Sequence, residues 1–437
     1  MDRNFWVWHS SGQREAVDAL ATILEELRDF PLADAARGRA LLLLGWIRLY
    51  RRPLATTEAL ANEAFEILKN TGPQGAMADG YILRGLVLQR RGQGVAALSD
   101  FLAGRKIMEE LVAKNESDKD RQRDLANAST HVGRIYSEMG RDDNAIEEIG
   151  KAQIILKRLV EVDPSNISWQ RDLSVTHSDQ GRIYQSRDEF DKALAEYEAD
   201  KQISEALAAA SPQNTDLRRD LAVCHNNIGR IYMAQKLFSR ALLEYQEYHE
   251  IMDNLTAIDP SNLDYQRELV VSHHCLASAY DAQGKLAEAL AAFESGSRIL
   301  RGLIELDPSN AGIRRDLYLL NNRRGRTYLD HNMLPEALAE FERGKQTIDG
   351  LLKIAPSNTD YQRALSLAYH NIGRVYEAQG EYHLALDAYQ SDLKLAESLA
   401  DLQLSNPKLK QDLETSRTAI ERMRSKMSSE DPASPAE

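Results

Sequence analysis

The sequence predicts an all-α fold, an α-solenoid of antiparallel helix pairs, on three observations. A glycine slot recurs at Gly133, Gly181, Gly229, Gly325 and Gly373, with Ala277 in the same series, and neighbouring slots are 48 residues apart (181 − 133, 229 − 181 and onward). A tyrosine three residues later keeps step from Tyr136 to Tyr376, as do alanines from Ala145 to Ala385 and prolines from Pro164 to Pro356. A fixed period of about 20–50 residues marks a stack of repeated units. Inside each period the apolar residues fall at helical spacing, and no stretch alternates as a half-buried strand does.

The elements follow in chain order. Phe5, Trp6 and Trp8 form an aromatic segment that either packs under the first helices or serves docking and self-association. Residues 12–29, 33–50, 54–69 and 74–91 read as helices, with Ser11 as a cap and Pro31, Pro53 and Gly72-Pro73 as punctuation. Gly45 with Tyr50 looks like a degenerate repeat, but it stands 40 residues before Gly85 (85 − 45), out of register. Residues 1–80 are therefore expected to be an atypical helical cap, because the end of a stack must close its apolar face. Residues 81–402 form the regular array. In the unit at 163–211, the turn Asp163-Pro164-Ser165-Asn166 leads into a first helix over 167–186 and a second over 189–211. Asn166 and Asp188 are expected to accept hydrogen bonds from the free amides that open these helices. Gly181 and Ala193 fall where the two helices approach closely, and Tyr184 and Tyr197 fill the space around them. Residues 403–427 repeat a first helix alone: Gln411-Asp412-Leu413 matches Arg171-Asp172-Leu173, but Glu421 replaces the glycine. Such a helix suits a cap with a solvated outer face. Ser428 to Glu437 has little to bury and is expected to be disordered.

Composition narrows the function classes. A net charge of −13 argues against a general nucleic-acid binder. The two cysteines, Cys224 and Cys275, lie in helical pattern and form no disulfide framework, which points to a reducing, cytoplasmic setting. No opening apolar run with a cleavage site and no stretch of about 18 apolar residues is present, so no membrane attachment is expected.

His225-x2-Ile228-Gly229-x2-Tyr232 followed by Ala241-x3-Tyr245 and Pro260, and Tyr369-x2-Ile372-Gly373-x2-Tyr376 followed by Ala385-x3-Tyr389, resemble the tetratricopeptide repeat. The resemblance covers roughly residues 80–427 and implies a right-handed superhelix whose first helices line a concave face that holds extended or helical peptides. The period departs from the family's ~34 residues. The glycine-to-proline and proline-to-glycine intervals are each about seven residues longer, nearly two helical turns, so the buried face still points inward. The Trp-Gln-Arg-Asp-Leu-Ser signature at Trp169 to Ser174 looks like long-period arrays of multidomain bacterial signalling proteins. The family's clamp for chaperone tails uses asparagine after the glycine, where this chain has arginine.

Reaction chemistry finds little footing. Gly92-Gln93-Gly94-Val95-Ala96-Ala97 matches a dinucleotide loop but follows a helix, where that motif needs a strand. His273-His274-Cys275 cannot converge on one ion, since successive helical side chains diverge by about 100°. His177, His225 and His273 recur one per repeat, and helices packed about 8–10 Å apart are too distant to share zinc. No cofactor, metal site or enzymatic activity is expected.

The chemistry-bearing pattern is arginine. Ten residues before the glycine slot stand Arg123, Arg171, Arg219, Arg267, Arg315 and Arg363. One residue after it stand Arg134, Arg182, Arg230, Arg326 and Arg374, with Ser278 the exception. Three residues before it come Thr130, Ser178, Asn226, His274, Asn322 and His370. Eleven residues at about 100° each close to within about 20° of three turns, so both arginine rows share one helix face. Guanidinium forks suit carboxylates and phosphates. The function expected is a scaffold or adaptor binding an acidic segment of a partner protein, with Arg134, Arg182, Arg230, Arg326, Arg374, Asn226, His274, Asn322, His370, Arg171, Arg219 and Arg267 as contacts. Two other readings stay open: a signalling sensor for a short peptide or small ligand, and a nucleic-acid backbone on the arginine rows. A competing structural use exists for the first row. Asp124, Asp172, Asp220, Glu268 and Asp316 directly follow its arginines and could bridge to the arginine of the next repeat.

Overall fold

The computed structural model describes residues 21–25, 34–49, 54–71, 74–402 and 407–430. Phe5, Trp6, Trp8, Ser11, Pro31, Pro53, Gly72, Pro73 and the last residues of the tail lie outside them. Among the described residues the regular structure is all α-helix, a solenoid of antiparallel helix pairs, with no strand. The first helices of successive pairs include Lys119–Glu138, Ile167–Ser186, Thr215–Ala234, Leu263–Ala282, Ala311–Asp330 and Thr359–Gln379. Their second helices include Asp142–Val162, Phe190–Ala210, Phe238–Ile258, Leu286–Leu306, Leu334–Ile354 and Tyr382–Leu402. Shorter pairs precede them, Asp34–Arg48 with Leu54–Thr71 and Gln74–Arg90 with Gly94–Lys114, and Pro407–Glu430 follows alone. The chain divides into two compact units, Met1–Ile251 and Met252–Glu437.

In the first unit the pair at 167–210 shows how sequence makes the hairpin. Asp163 accepts from the Ser165 backbone N–H at 3.0 Å and from its hydroxyl at 2.6 Å, closing the Asp-Pro-Ser-Asn turn. Asn166 then accepts from the Trp169 amide at 3.1 Å and caps the first helix. The glycine slot explains the close approach. A Cβ on Gly181 would stand 2.7 Å from Cε1 of Tyr197, and one on Gly229 would stand 2.4 Å from Cε1 of Tyr245. Residues 181 and 197 meet, and so do 174 and 200 through Ser174 Oγ and Asp200, so the two helices run antiparallel. Tyr197 is wholly buried, with its hydroxyl donating to Gln185 Oε1 at 3.0 Å.

Asp188 corrects the expected cap. The residue preceding the second helix is Glu189, which makes no side-chain cap bond, and Asp188 sits in the left-handed region at φ 57°. The same turn position is held by Gly92, Gly140 and Lys236 in this unit, all at positive φ. The backbone must reverse direction in one residue here, which is a glycine's conformation.

In the second unit Gly325 and Gly373 repeat the device against Phe341 and Tyr389: a Cβ on either glycine would stand 2.7 Å from the nearest ring carbon. Ala277 occupies the slot beside Phe293, both within one buried cluster. The final helix buries Leu409, and packs Ala419, Ile420 and Met423 against Ala385 and Tyr389 of the preceding pair. It continues past 427: Ser428 donates its hydroxyl to the Arg424 carbonyl at 3.0 Å, and the helix ends at Glu430. No helix of the described residues is long and apolar enough to cross a membrane.

Candidate functional site

The first arginine row ties neighbouring pairs together. In the first unit Arg123 Nε donates to Asp172 Oδ2 at 2.5 Å and Arg171 Nε to Asp220 Oδ2 at 2.6 Å. In the second unit Arg267 Nε donates to Asp316 Oδ2 at 2.6 Å and Arg363 Nε to Asp412 Oδ2 at 2.7 Å. Arg171 and Arg267, expected as partner contacts, are thus rungs of an internal ladder, and Arg219 also interacts within the protein. The rungs join each acid to the arginine of the preceding repeat, opposite to the expected direction. The stagger of adjacent first helices sets an arginine beside the acid one residue further along the next helix. Asp124, which has no such rung, pairs instead with Arg121 on its own helix at 3.2 Å.

The second row, one residue after the glycine, divides in two. Asp179 is clamped between Arg134, whose Nε donates to Oδ2 at 2.5 Å, and Arg182, whose Nη2 donates to Oδ1 at 2.7 Å. The Asp179 side chain is only 6% exposed, while that of Arg182 is 64% exposed. Among the described residues no carboxylate bonds Arg230 in the first unit, or Arg326 and Arg374 in the second. The reason lies in the Asp179 position. Counting by 48 from it gives Asn227, Cys275, Arg323 and Asn371, none of them acidic. Arg326, Asn371 and Arg374 each lie 192 residues (four periods of 48) beyond Arg134, Asp179 and Arg182. At these equivalent positions a neutral amide therefore stands where the first unit has a carboxylate. Asn371 Nδ2 donates to Asn322 Oδ1 at 2.8 Å.

The polar row is less open than expected. His274, expected to face outward, is partly buried, with its ring tilted over Phe293 at 6.2 Å and its Nε2 3.4 Å from Ser278 Oγ. Burial, and then the positive charge of Arg323, holds its pKa down to about 3, so the ring is neutral. His370 Nδ1 lies 3.0 Å from Asp392 Oδ2, with its ring tilted on Tyr389 at 5.3 Å. Asn226 is engaged within the protein. Asn322 accepts from Asn371 and keeps its own amide N–H groups for another acceptor.

Two features escaped the sequence reading. Asp179 and Arg323 break the repeat at one slot, visible as outliers but without an assigned neighbour. His177 and His225 meet Glu196 and Glu244 of their second helices, at 2.6 and 2.7 Å from Nδ1, and those glutamates also recur 48 residues apart (244 − 196). Cys224 and Cys275 are buried and not joined in a disulfide, and burial pushes the Cys224 thiol far up, away from the reactive thiolate. Among the described residues no group of three His, Cys, Asp or Glu side chains is placed to hold a metal ion. What the geometry can do is donate hydrogen bonds to an anion.

Residues 368–403 match the family model described as tetratricopeptide repeat. No curated protein sequence matches the chain. Among solved structures, the chain is similar to the apo form of the quorum sensor NprR from B. thuringiensis, at 14% identity and a TM-score of 0.57, over 90% of this chain and 97% of that one. It is also similar to a Rap protein complexed with competence and sporulation factor, at 13% identity and a TM-score of 0.50, over 91% of this chain and 97% of that one. Aspartyl phosphate phosphatase F from Bacillus subtilis aligns at 13% identity and a TM-score of 0.50, over 89% of this chain and 91% of that one. At such identities the likeness is one of fold. The repeat match and the helix-pair fold together show a tetratricopeptide-repeat-like array.

Proposed function

We propose that the chain is a non-enzymatic scaffold that holds an acidic segment of a partner protein on the first-helix face. One observation carries this reading: in the second unit Arg326 and Arg374, and separately in the first unit Arg230, present guanidinium forks with no carboxylate of the described residues bonded to them, while the first row is tied into the ladder. A guanidinium row without internal counter-charge is stabilised by any carboxylate that reaches it, through two parallel hydrogen bonds per residue. In the second unit the Arg326–Asn371–Arg374 triad is the strongest position, because its internal counterpart shows a carboxylate held by both forks at Asp179. A sensor binding a short acidic peptide would use the same row. Two similar structures, a quorum sensor and a Rap protein complexed with competence and sporulation factor, give that variant its support.

In this reading residues 1–80 cap the array at 81–402, residues 403–427 close its other end, and the buried cysteines, not joined in a disulfide, suit a cytoplasmic setting. The aromatic segment Phe5, Trp6 and Trp8 is a candidate for self-association. The test is affinity capture with the full chain and with Arg326→Glu/Arg374→Glu. Proteins held by the first and lost by the second should share an acidic segment, with helicity unchanged by circular dichroism. Identical capture by both chains would remove this face from the account.

A further inference from the structure

Arg323 is the most unusual side chain on the second unit's first-helix face. It stands in the position that Asp179 holds in the first unit, so the sign of the charge there is reversed. Among the described residues it makes no hydrogen bond or ion pair. Arg326 lies three residues on, one helical turn away on the same face, and it too bonds no acid. Two like charges at that spacing repel. On the preceding first helix Asp281 bonds Thr327 Oγ1 at 3.0 Å and His331 Nε2 at 2.9 Å, and neither arginine; the side chains at 274, 275 and 278 carry no carboxylate. Ser278 replaces the arginine of the second row and gives its hydroxyl to the His274 carbonyl at 3.0 Å, His274 is uncharged, and Cys275 is a buried thiol. Burial first, and then the charge of Arg326, hold the Arg323 guanidinium below the usual arginine range, and no carboxylate is among the charges acting on it. Asn322, beside Arg323 in the chain, has amide N–H groups to donate.

From this juxtaposition we propose that Arg323 and Arg326, with the Asn322 amide, bind a phosphomonoester, the phosphorylated side chain of the acidic segment taken up by the first-helix face. The proposal rests on the function proposed above and names the group that the segment carries. A carboxylate brings a single charge to two uncompensated guanidiniums. A phosphomonoester carries about −1.5 to −2 at neutral pH, and its three acceptor oxygens match two forks and one amide. In the first unit the corresponding position carries its own anion, Asp179, so that repeat has no vacancy for a phosphoryl group.

The experiment uses the full chain and two labelled, glutamate-rich peptides identical except for a phosphoserine in place of one serine, followed by fluorescence anisotropy. The phosphorylated peptide should bind about tenfold more tightly. Arg323→Gln should bring the ratio close to one, with a much smaller loss of affinity for the unphosphorylated peptide from the removed charge, and Arg230→Gln should leave the ratio intact. If Arg323→Gln fails to fold, Arg323→Lys keeps the charge but loses the fork, and should still lower the ratio. Equal affinity for the two peptides, or a ratio untouched at position 323, overturns the inference and leaves the proposed acidic-segment function standing. Binding of neither peptide overturns both. Inorganic phosphate or a single-stranded oligonucleotide competing as well as the phosphopeptide would assign the site to free phosphate or to a nucleic-acid backbone, and would likewise overturn it.

Discussion

Exchanging the amide and the carboxylate between two equivalent positions tests whether an internal anion decides which arginines are available. Asp179→Asn removes the charge that both Arg134 and Arg182 engage. Each charge-assisted hydrogen bond contributes about 1.5–3 kcal/mol where it is shielded. Here the arginine side chains are 32% and 64% exposed. Water therefore recovers most of the Arg182 contribution, and the net loss is about 2 kcal/mol. For a unit of this size that lowers the melting temperature by about 4–8 °C. Asn371→Asp does the reverse. The new carboxylate accepts from Arg326 and Arg374, Asn322 turns its amide to donate to it, and stability changes by about 1 kcal/mol or less because burial opposes the new charge. The binding consequence is larger. Asn371→Asp should weaken a glutamate-rich peptide about tenfold by occupying the forks from within, whereas Asp179→Asn should leave or improve its affinity. Thermal melts followed at 222 nm and peptide anisotropy on the same preparations read both effects. Full peptide affinity in Asn371→Asp, together with a melting temperature for Asp179→Asn equal to the parent's, would refute the reasoning.

Other consequences follow from the same geometry. Lys236 holds φ 60° at a turn where Gly140, Gly284 and Gly380 stand elsewhere, so Lys236→Gly should stabilise the protein by about 1 kcal/mol, seen as a raised midpoint in urea. Gly229→Leu should cost at least about 1–3 kcal/mol by pushing the buried ring of Tyr245 and its helix away, visible as lost helicity; an unperturbed melt would contradict the packing. Glu377 joins the last helix to its neighbour, accepting from Arg422 Nη2 at 2.7 Å and Lys426 Nζ at 3.0 Å. Burial alone would raise its pKa, but the bonds from Arg422, Lys426 and Tyr389 outweigh it and hold the carboxyl at about 2. A depressed folded pKa contributes stability above the ordinary value of 4.5, and that stability is lost as pH falls toward about 2. Glu377→Gln should therefore cost about 1–2 kcal/mol at neutral pH, after allowance for its partly solvated partners. The gap to the parent should close across that acid window; a gap that stays constant would exclude this role.

Much of the fold was legible because the repeat prints its packing directly. The small residue at the glycine slot and the aromatic sixteen residues later, as in Gly181 and Tyr197 (197 − 181), declare a close helix crossing by themselves. The Asn166 cap is likewise local and therefore readable. Asp188 misled because aspartate is favoured both as a cap and in the left-handed turn, and only the backbone decides between them. The candidate site was harder. Two arginine rows on one helix face were visible from the period. Which of them is free depends on the stagger between first helices of neighbouring repeats, a tertiary quantity that no spacing within a repeat encodes. For that reason Asp172 and Asp220 could be suspected as partners but were given the wrong neighbour. Asp179, Arg323 and Asn371 carried no message until their contacts were known.

The central claim is that the second arginine row of the second unit, and not the ladder row, holds an anionic segment. The most direct measurement is the affinity of a labelled glutamate-rich peptide for Arg326→Glu/Arg374→Glu and for Arg267→Gln, each compared with the parent chain at low salt. The first variant should lose about tenfold or more in affinity, and the second should show a lower melting temperature with unchanged affinity. Undiminished binding by the first variant, or loss confined to the ladder variant, would contradict it.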